Sequence, residues 1–370
     1  MTFNPSRLSI VRKRRMLNQR ELAQKIGINP HTISLWEKGE TAPTTDNLET
    51  IARVLKYPIA FFHGTDIDEP SKGITSFRSQ TSMSAAMRDA AFAAGVVGFL
   101  ISDWVETKFN LPEVDIPDLH LSCLEPESAA QTLRQEWGLG EKPITNMIQL
   151  LESKGVKVFS LAENTVKVDA YSLWRRGKPY VFLNNFKSAE RSRFDAAHEL
   201  AHLVLHQDGG VTGRDAEDQA NQFASAFLMP RADVLGFSQP ITRLQKLIDM
   251  KRRWKVSLAA LTYRVHKIGL MSDWKYRSFY MEIAKKGYNK REPNEIEREQ
   301  SSVWKKVLKN LWAENTTHLD IANDIAVPPD EVEGLLFGVL NASNSQPPKD
   351  SQLSVIEMDE SKTDISAERP

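Results

Sequence analysis

Apolar positions recur at helical spacing in short runs from Ser6 to Phe62, each run ended by a capping or turn residue. Leu22, Ala23 and Ile26 make one apolar stripe. Gly27 follows it, where a left-handed residue is cheap, and Asn29 and Pro30 stand where a second helix would be capped and begun. This predicts a helix, a tight turn and a second helix. HGTDIDEPSKG then switches to turn-forming and acidic residues, marking a boundary near residue 65. A long helical pattern runs from Ser84 to Phe109, and ESAAQTLRQEWGLG predicts another helix closed by Gly138 and Gly140. After Pro143, ITNMIQLLESKG reads as a helix, while VKVFSL, AYSLW and PYVFLN read as strands, the last two joined by RRGK. Helical spacing returns from Glu190 to about Leu270, and again in SFYMEIAKKG, SSVWKKVLKNLW and DEVEGLLFGVL.

The order of elements predicts a mainly α chain with a small β-sheet, an α+β arrangement. Its expected parts are a five-helix unit at 1–65, a linker and helical connector at 66–142, an α+β domain at 143–271, a helical region at 272–341 and a disordered acidic tail at 342–370. A length of 370 residues agrees with more than one domain. One cysteine, Cys123, excludes an internal disulfide framework and a multi-cysteine metal site, which fits a reducing cytoplasm. The most apolar run, AAFAAGVVGFLI, is shorter than the roughly 20 residues a membrane span needs, so it reads as a buried helix and no membrane partner is expected. With no basic, apolar leader at the start, the expected location is cytoplasmic.

Lys plus Arg equals Asp plus Glu at 48 each, so no global charge attracts nucleic acid. The excess is local: within residues 1–60, ten Lys and Arg face five acids. In a helix-turn-helix the second helix enters the major groove with its N-terminal residues on base edges, which nominates Pro30, His31, Thr32 and Ser34. Gln19, at the start of the preceding helix, is placed to meet a phosphate of a double-stranded DNA operator. The stretch NQRELAQKIGINPHTISLWEKGETAPTTDNLETIARVL resembles the Cro/CI, or XRE-type, helix-turn-helix family. That resemblance implies sequence-specific DNA binding, often as a homodimer, and gives Glu37 and Gly39 a structural role in the WExG element.

DAAHELAHLVLH carries different chemistry. His198 and His202 are four apart, so on a helix both imidazoles leave one face and can share a tetrahedral Zn²⁺. Glu199 lies beside such an ion and can take a proton from an activated water and pass it to the departing amine. His206 lies roughly 12 Å further along the axis than His198 and about 80° around it, too far to share the ion, so it reads as structural. In AEDQANQFASAFLMP, Glu217 is in phase with Ala220, Ala224, Phe227 and Leu228. A carboxylate on a core-facing stripe needs a partner, and a metal is one, so Glu217 is the candidate third ligand. Asp215 and Asp218 fall off the stripe and should be solvated, and Asp208, Gly209 and Gly210 supply the break that folds one helix back on the other.

FLNNFKSAERSRFDAAHELAHLVLH, EDQANQFASAFLMP and KRRWKVSLAALTYRVHKIGLMSD together resemble the ImmA/IrrE family of gluzincin-like metallopeptidases. The resemblance implies His198, His202 and Glu217 as zinc ligands, Glu199 as general base, and a repressor protein as proteolytic substrate in a stress or mobile-element response. An antitoxin-like, non-enzymatic regulator whose peptidase-like domain only senses a partner carries the same motifs, and self-cleavage in the Asp66 to Gly73 linker is a third reading. The basic cluster Arg243, Lys246, Lys251, Arg252, Arg253 and Lys255 reads as a solvated helical face. Tryptophans 174, 254, 274, 304 and 312 read as core or interface anchors.

Overall fold

The computed structural model describes residues 2–67, 76–77 (backbone), 84–120, 124–161, 170–207, 213–237, 241–336, 338 and 340. The tail 342–370, Cys123, the break at Asp208 to Gly210 and most of the Asp66 to Gly73 linker lie outside the described residues.

The N-terminal unit is built by its caps. Helices α1 (Pro5–Arg14), α2 (Gln19–Ile26), α3 (Pro30–Glu37) and α4 (Thr45–Leu55) precede a 3-10 helix at Ile59–His63, the fifth helix of the unit. Asn4 caps α1, and Asn18 exchanges hydrogen bonds with Glu21 in a capping box at the start of α2. Gly27 ends α2 with a φ of 76°, and Asn29 Oδ1 accepts from the His31 N–H, starting α3 within two residues. Leu8, Val11, Leu22, Ile33, Ile51, Leu55, Phe61 and Phe62 fill the interior.

The sheet holds β1 (Ser76–Phe77), β2 (Lys157–Ser160), β3 (Tyr171–Arg175) and β4 (Lys178–Leu183) in the order β1-β3-β4-β2. β3 and β4 form the expected hairpin, turned by Arg176 and Gly177, both at positive φ as a tight two-residue turn requires. β2 runs parallel to β4 with Val158 opposite Val181. Alternation gives the sheet two unlike faces. Phe159, Tyr171, Tyr180 and Phe182 are buried and stack on one another, Tyr171 and Phe182 with ring centres 4.6 Å apart.

Helix α5 (Ala85–Glu106) lies on this aromatic face. It is long and apolar enough to cross a membrane, yet it is mostly buried inside the protein. The close approach depends on glycine. A Cβ at Gly95 would stand 2.7 Å from Tyr171 Oη and one at Gly98 3.0 Å from Phe182 Cε1, and Tyr171 Oη donates to the Ala91 carbonyl at 2.8 Å. From within the expected connector at 66–142, β1 adds the edge strand of the sheet and α5 covers one of its faces. A two-residue strand carries no readable periodicity, and α5 is apolar nearly all round, so neither announces its partner in sequence.

The opposite face meets α8 (Ala189–Leu205), against which α9 (Gly213–Leu228) packs. Helix α6 (Pro126–Glu136) covers α9, with Arg134 donating to the Phe227 carbonyl at 2.6 Å. Burial lowers the Arg134 pKa to about 10. Helices α7 (Met147–Ser153), α10 (Arg231–Leu235), α11 (Leu244–Trp254) and α12 (Leu258–Lys267) complete this part. The C-terminal region adds α13 (Asp273–Lys285), α14 (Val303–Ala313), α15 (His318–Asp324) and α16 (Pro329–Leu336). It ties the halves together: Ser160 Oγ donates to the Gly334 carbonyl at 2.6 Å, while the buried Glu331 accepts from Arg14 Nε at 2.7 Å and Arg15 Nη1 at 2.9 Å.

One expectation about side chains changes. The basic cluster near α11 is not one solvated face. Lys251 is fully buried, 3.0 Å from Glu190 and 2.9 Å from Glu292, and Arg253 pairs with Asp233. Trp254 and Trp304 anchor the core, with indole N–H groups on Asp233 and the Val158 carbonyl, whereas Trp274 is 75% exposed and Trp312 54% exposed.

Candidate functional site

Helix α8 is buried along nearly its whole length, so each polar group on it must be matched from within the protein or by a ligand. In the first half protein groups do the matching: Glu190 meets Lys251, Arg193 meets Glu299, and Asp195 meets Lys187. In the second half the helical period aims His198 and His202 at α9. Their Nε2 atoms stand 3.1 Å apart. Glu217, one turn into α9, places Oε2 3.2 Å from His198 Nε2 and Oε1 3.6 Å from His202 Nε2. Four ligands at about 2.0–2.1 Å around a tetrahedral Zn²⁺ stand roughly 3.3 Å apart, so the donor triangle has the size such an ion needs. These three side chains are a group able to hold a metal ion. His198 is fully buried and Glu217 is 21% exposed, so the site opens on the Glu217 side.

His198 Nδ1 is buried and without a hydrogen-bond partner, while the partner of His202 Nδ1 is His206 Nδ1 at 2.9 Å. His206 caps α8, and its Nε2 lies 3.0 Å from Gln219 Oε1. Burial pushes the His206 imidazole below its ordinary pKa, favouring the neutral ring. It thus orients His202 from behind rather than joining the donor triangle. Asp215 and Asp218 are exposed, off the stripe occupied by Glu217, Ala220 and Ala224.

Glu199 is buried between α8 and the sheet, where Ser172 Oγ donates to its Oε2 at 2.7 Å. Ser172 was not singled out in the sequence. Its signal is the alternation of AYSLW, which puts one hydroxyl on the face opposite the aromatic one, the face that meets α8. The hydrogen bond holds the Glu199 carboxylate against β3.

The second candidate face lies on α2 and α3. Pro30 and His31 are exposed, and Thr32 and Ser34 are half-buried, all within the first turns of α3. Gln19 opens α2, and its amide donates to Glu37 Oε2 at 2.7 Å. Arg12 grips the same carboxylate with two bonds of 2.6 and 2.9 Å, so Glu37 staples α1, α2 and α3 together. Gly39 has a φ of 75° beside Pro5, as its structural role requires. The local positive excess is smaller in space than in sequence, because Arg7 donates to the Thr65 and Phe61 carbonyls, Arg12 serves Glu37, and Arg14 and Arg15 serve Glu331. Arg20, Lys25, Lys38, Arg53 and Lys56 remain exposed.

Comparison with known families agrees with both halves. Residues 8–62 match the helix-turn-helix family model, and residues 151–266 match the model of the IrrE N-terminal-like domain, a peptidase family. The chain joins these two domains. Among curated proteins none matches the sequence. The helix-turn-helix domain supports DNA binding. The IrrE-like domain is metallopeptidase-like, and its matched span holds α8 and α9 with the His198, His202 and Glu217 group.

Proposed function

We propose that the protein is a cytoplasmic transcriptional regulator whose IrrE-like domain is a zinc-dependent endopeptidase, acting on a repressor protein in a stress or mobile-element response. The observation that carries this reading is the donor triangle of His198, His202 and Glu217 beside a buried, Ser172-held Glu199. Zinc, when bound by the three residues, supplies Lewis acidity to the scissile carbonyl and to its attacking water. Glu199 accepts a proton at its carboxylate and delivers it to the leaving amine nitrogen. Ser172 keeps that carboxylate in one orientation through both transfers. Burial of His198, His202 and Glu199 strengthens each polar interaction there by excluding water.

The helix-turn-helix domain gives the peptidase an address. Pro30, His31, Thr32 and Ser34 would meet base edges from the start of α3, and Gln19 a phosphate, with a homodimer reading two half-sites. Holding the peptidase on DNA beside a DNA-bound repressor raises the effective substrate concentration, so a slow enzyme can still be selective.

The deciding experiment combines metal analysis of the purified chain with incubation against repressors encoded near its gene. The proposal expects about one zinc per chain and a discrete cleavage product that vanishes in Glu199→Gln while zinc and DNA binding persist. An unchanged regulatory response in Glu199→Gln, with no cleavage by either form, would instead assign the antitoxin-like, non-enzymatic role.

A further inference from the structure

A cleft of about 920 Å³ opens along the α8–α9 pair, walled on its far side by α12 and α13. It begins one helical turn from the donor triangle: Phe194 on its floor precedes His198 by four residues, and Asn221 follows Glu217 by four. Three features go beyond a mere gap between helices.

The first is a pair of unmet polar atoms. Asn221 Oδ1 and Ser225 Oγ are buried without hydrogen-bond partners, and both line the cleft. Ser225 as a residue is only 4% exposed. A buried polar atom without a partner carries a desolvation cost, which a ligand donor removes. With Glu217 they form a row at intervals of four on one face of α9, a ladder about 12 Å long. The second is an aromatic wall made by Phe194, Tyr263 and Tyr280. The third is charge. Lys187 and Glu292 in the lining are taken up by Asp195 and Lys251. The exposed charges are Arg191, Lys267 and Lys290 against Asp218. Neither Arg191 nor Lys290 stands in an ion pair among the described residues.

From this arrangement we infer that the cleft seats the substrate on one side of the scissile bond, as an extended acidic peptide. The inference rests on the peptidase reading and adds its substrate class. Backbone N–H groups of the bound chain meet Asn221 Oδ1 and Ser225 Oγ, an apolar side chain packs on the tyrosines, and a carboxylate meets Arg191 and Lys290. Arg191 lies seven residues before His198, roughly 10 Å along α8. An extended strand covers that in about three residues, so the preferred acid falls about three positions from the cleaved bond.

The test is a binding measurement on the full-length, zinc-loaded Glu199→Gln chain, so that turnover does not enter. Dye-labelled peptides of about twelve residues, carrying Glu, Gln or Lys about three positions from the centre, are titrated by fluorescence anisotropy. The Glu peptides should bind about tenfold more tightly than their Lys counterparts, and Arg191→Glu with Lys290→Glu should erase or invert that preference. Ser225→Ala should weaken all the peptides while raising the melting temperature, because it deletes an unmet hydroxyl. A role in folding alone predicts no loss of peptide affinity. Absence of measurable peptide binding, or a charge preference indifferent to both substitutions, overturns the inference. In that event, repressor cleavage by the unaltered chain still supports the peptidase reading, and its absence as well removes both.

Discussion

Two helix pairs in this chain carry candidate ligand-reading residues, with opposite polarity. In α2–α3 the apolar residues Leu22, Ala23 and Ile33 face inward, and the candidate ligand-reading residues Pro30 and His31 face water. In α8–α9 the candidate ligand-reading residues His198, His202 and Glu199 are themselves interior. The first pair is complete without its ligand, since Arg12, Gln19 and Glu37 satisfy one another. The second confines two imidazoles and a carboxylate within 4.8 Å of one another, an arrangement to which a divalent cation adds favourable energy. Binding to DNA should therefore leave the fold little changed in stability, whereas metal binding should be read directly in it.

The sharpest way to break this contrast is Glu199→Gln. Repressor cleavage should fall by about 10²–10⁴ in single-turnover rate, with zinc content and operator affinity unchanged. Next is the metal itself. At zinc concentrations of about 100 to 1,000 times its dissociation constant, the chain should gain roughly 3–4 kcal/mol of stability in calorimetry, and His198→Ala or Glu217→Ala should abolish that gain. A gain that survives both substitutions would place the ion elsewhere. On the other helix pair, Thr32→Ala and Ser34→Ala should each cost about 1–3 kcal/mol of operator affinity in a mobility-shift titration, with no change in zinc-dependent stability. The smallest effect tests the turn between α2 and α3. Gly27→Ala, at a φ of 76° with open space around the added methyl, should cost about 1 kcal/mol in denaturant unfolding, through backbone strain alone.

A fifth expectation concerns the join between the regions. Glu331 is 1% exposed while Arg14 and Arg15 are partly exposed, so Glu331→Ala leaves cations that water can reach. The expected cost is about 2 kcal/mol, below that of opening a fully buried pair. Loss of cooperativity between the helix-turn-helix and sheet domains in thermal unfolding would accompany it. A single unchanged transition would show that the contact adds nothing to their coupling.

The residues themselves determined whatever depends on neighbours a few positions apart. Asn18 with Glu21, Gly27, and Asn29 with Pro30 settle α2, its turn and α3 through local hydrogen bonds and backbone preference. The four-residue spacing of His198 and His202, and the phase of Glu217 with Ala220 and Ala224, follow from the helical period. What the tertiary structure alone decided lies between positions far apart in the chain. It set Ser172 against Glu199, Tyr171 against Gly95, Lys251 between Glu190 and Glu292, and Glu331 across Arg14 and Arg15. It also turned part of a basic N-terminal stretch into internal ion pairs, which a count of charges treats as free. The reason is physical: periodicity and capping act over one turn, while the partner of a buried charge or a close-packed glycine is chosen by three-dimensional packing.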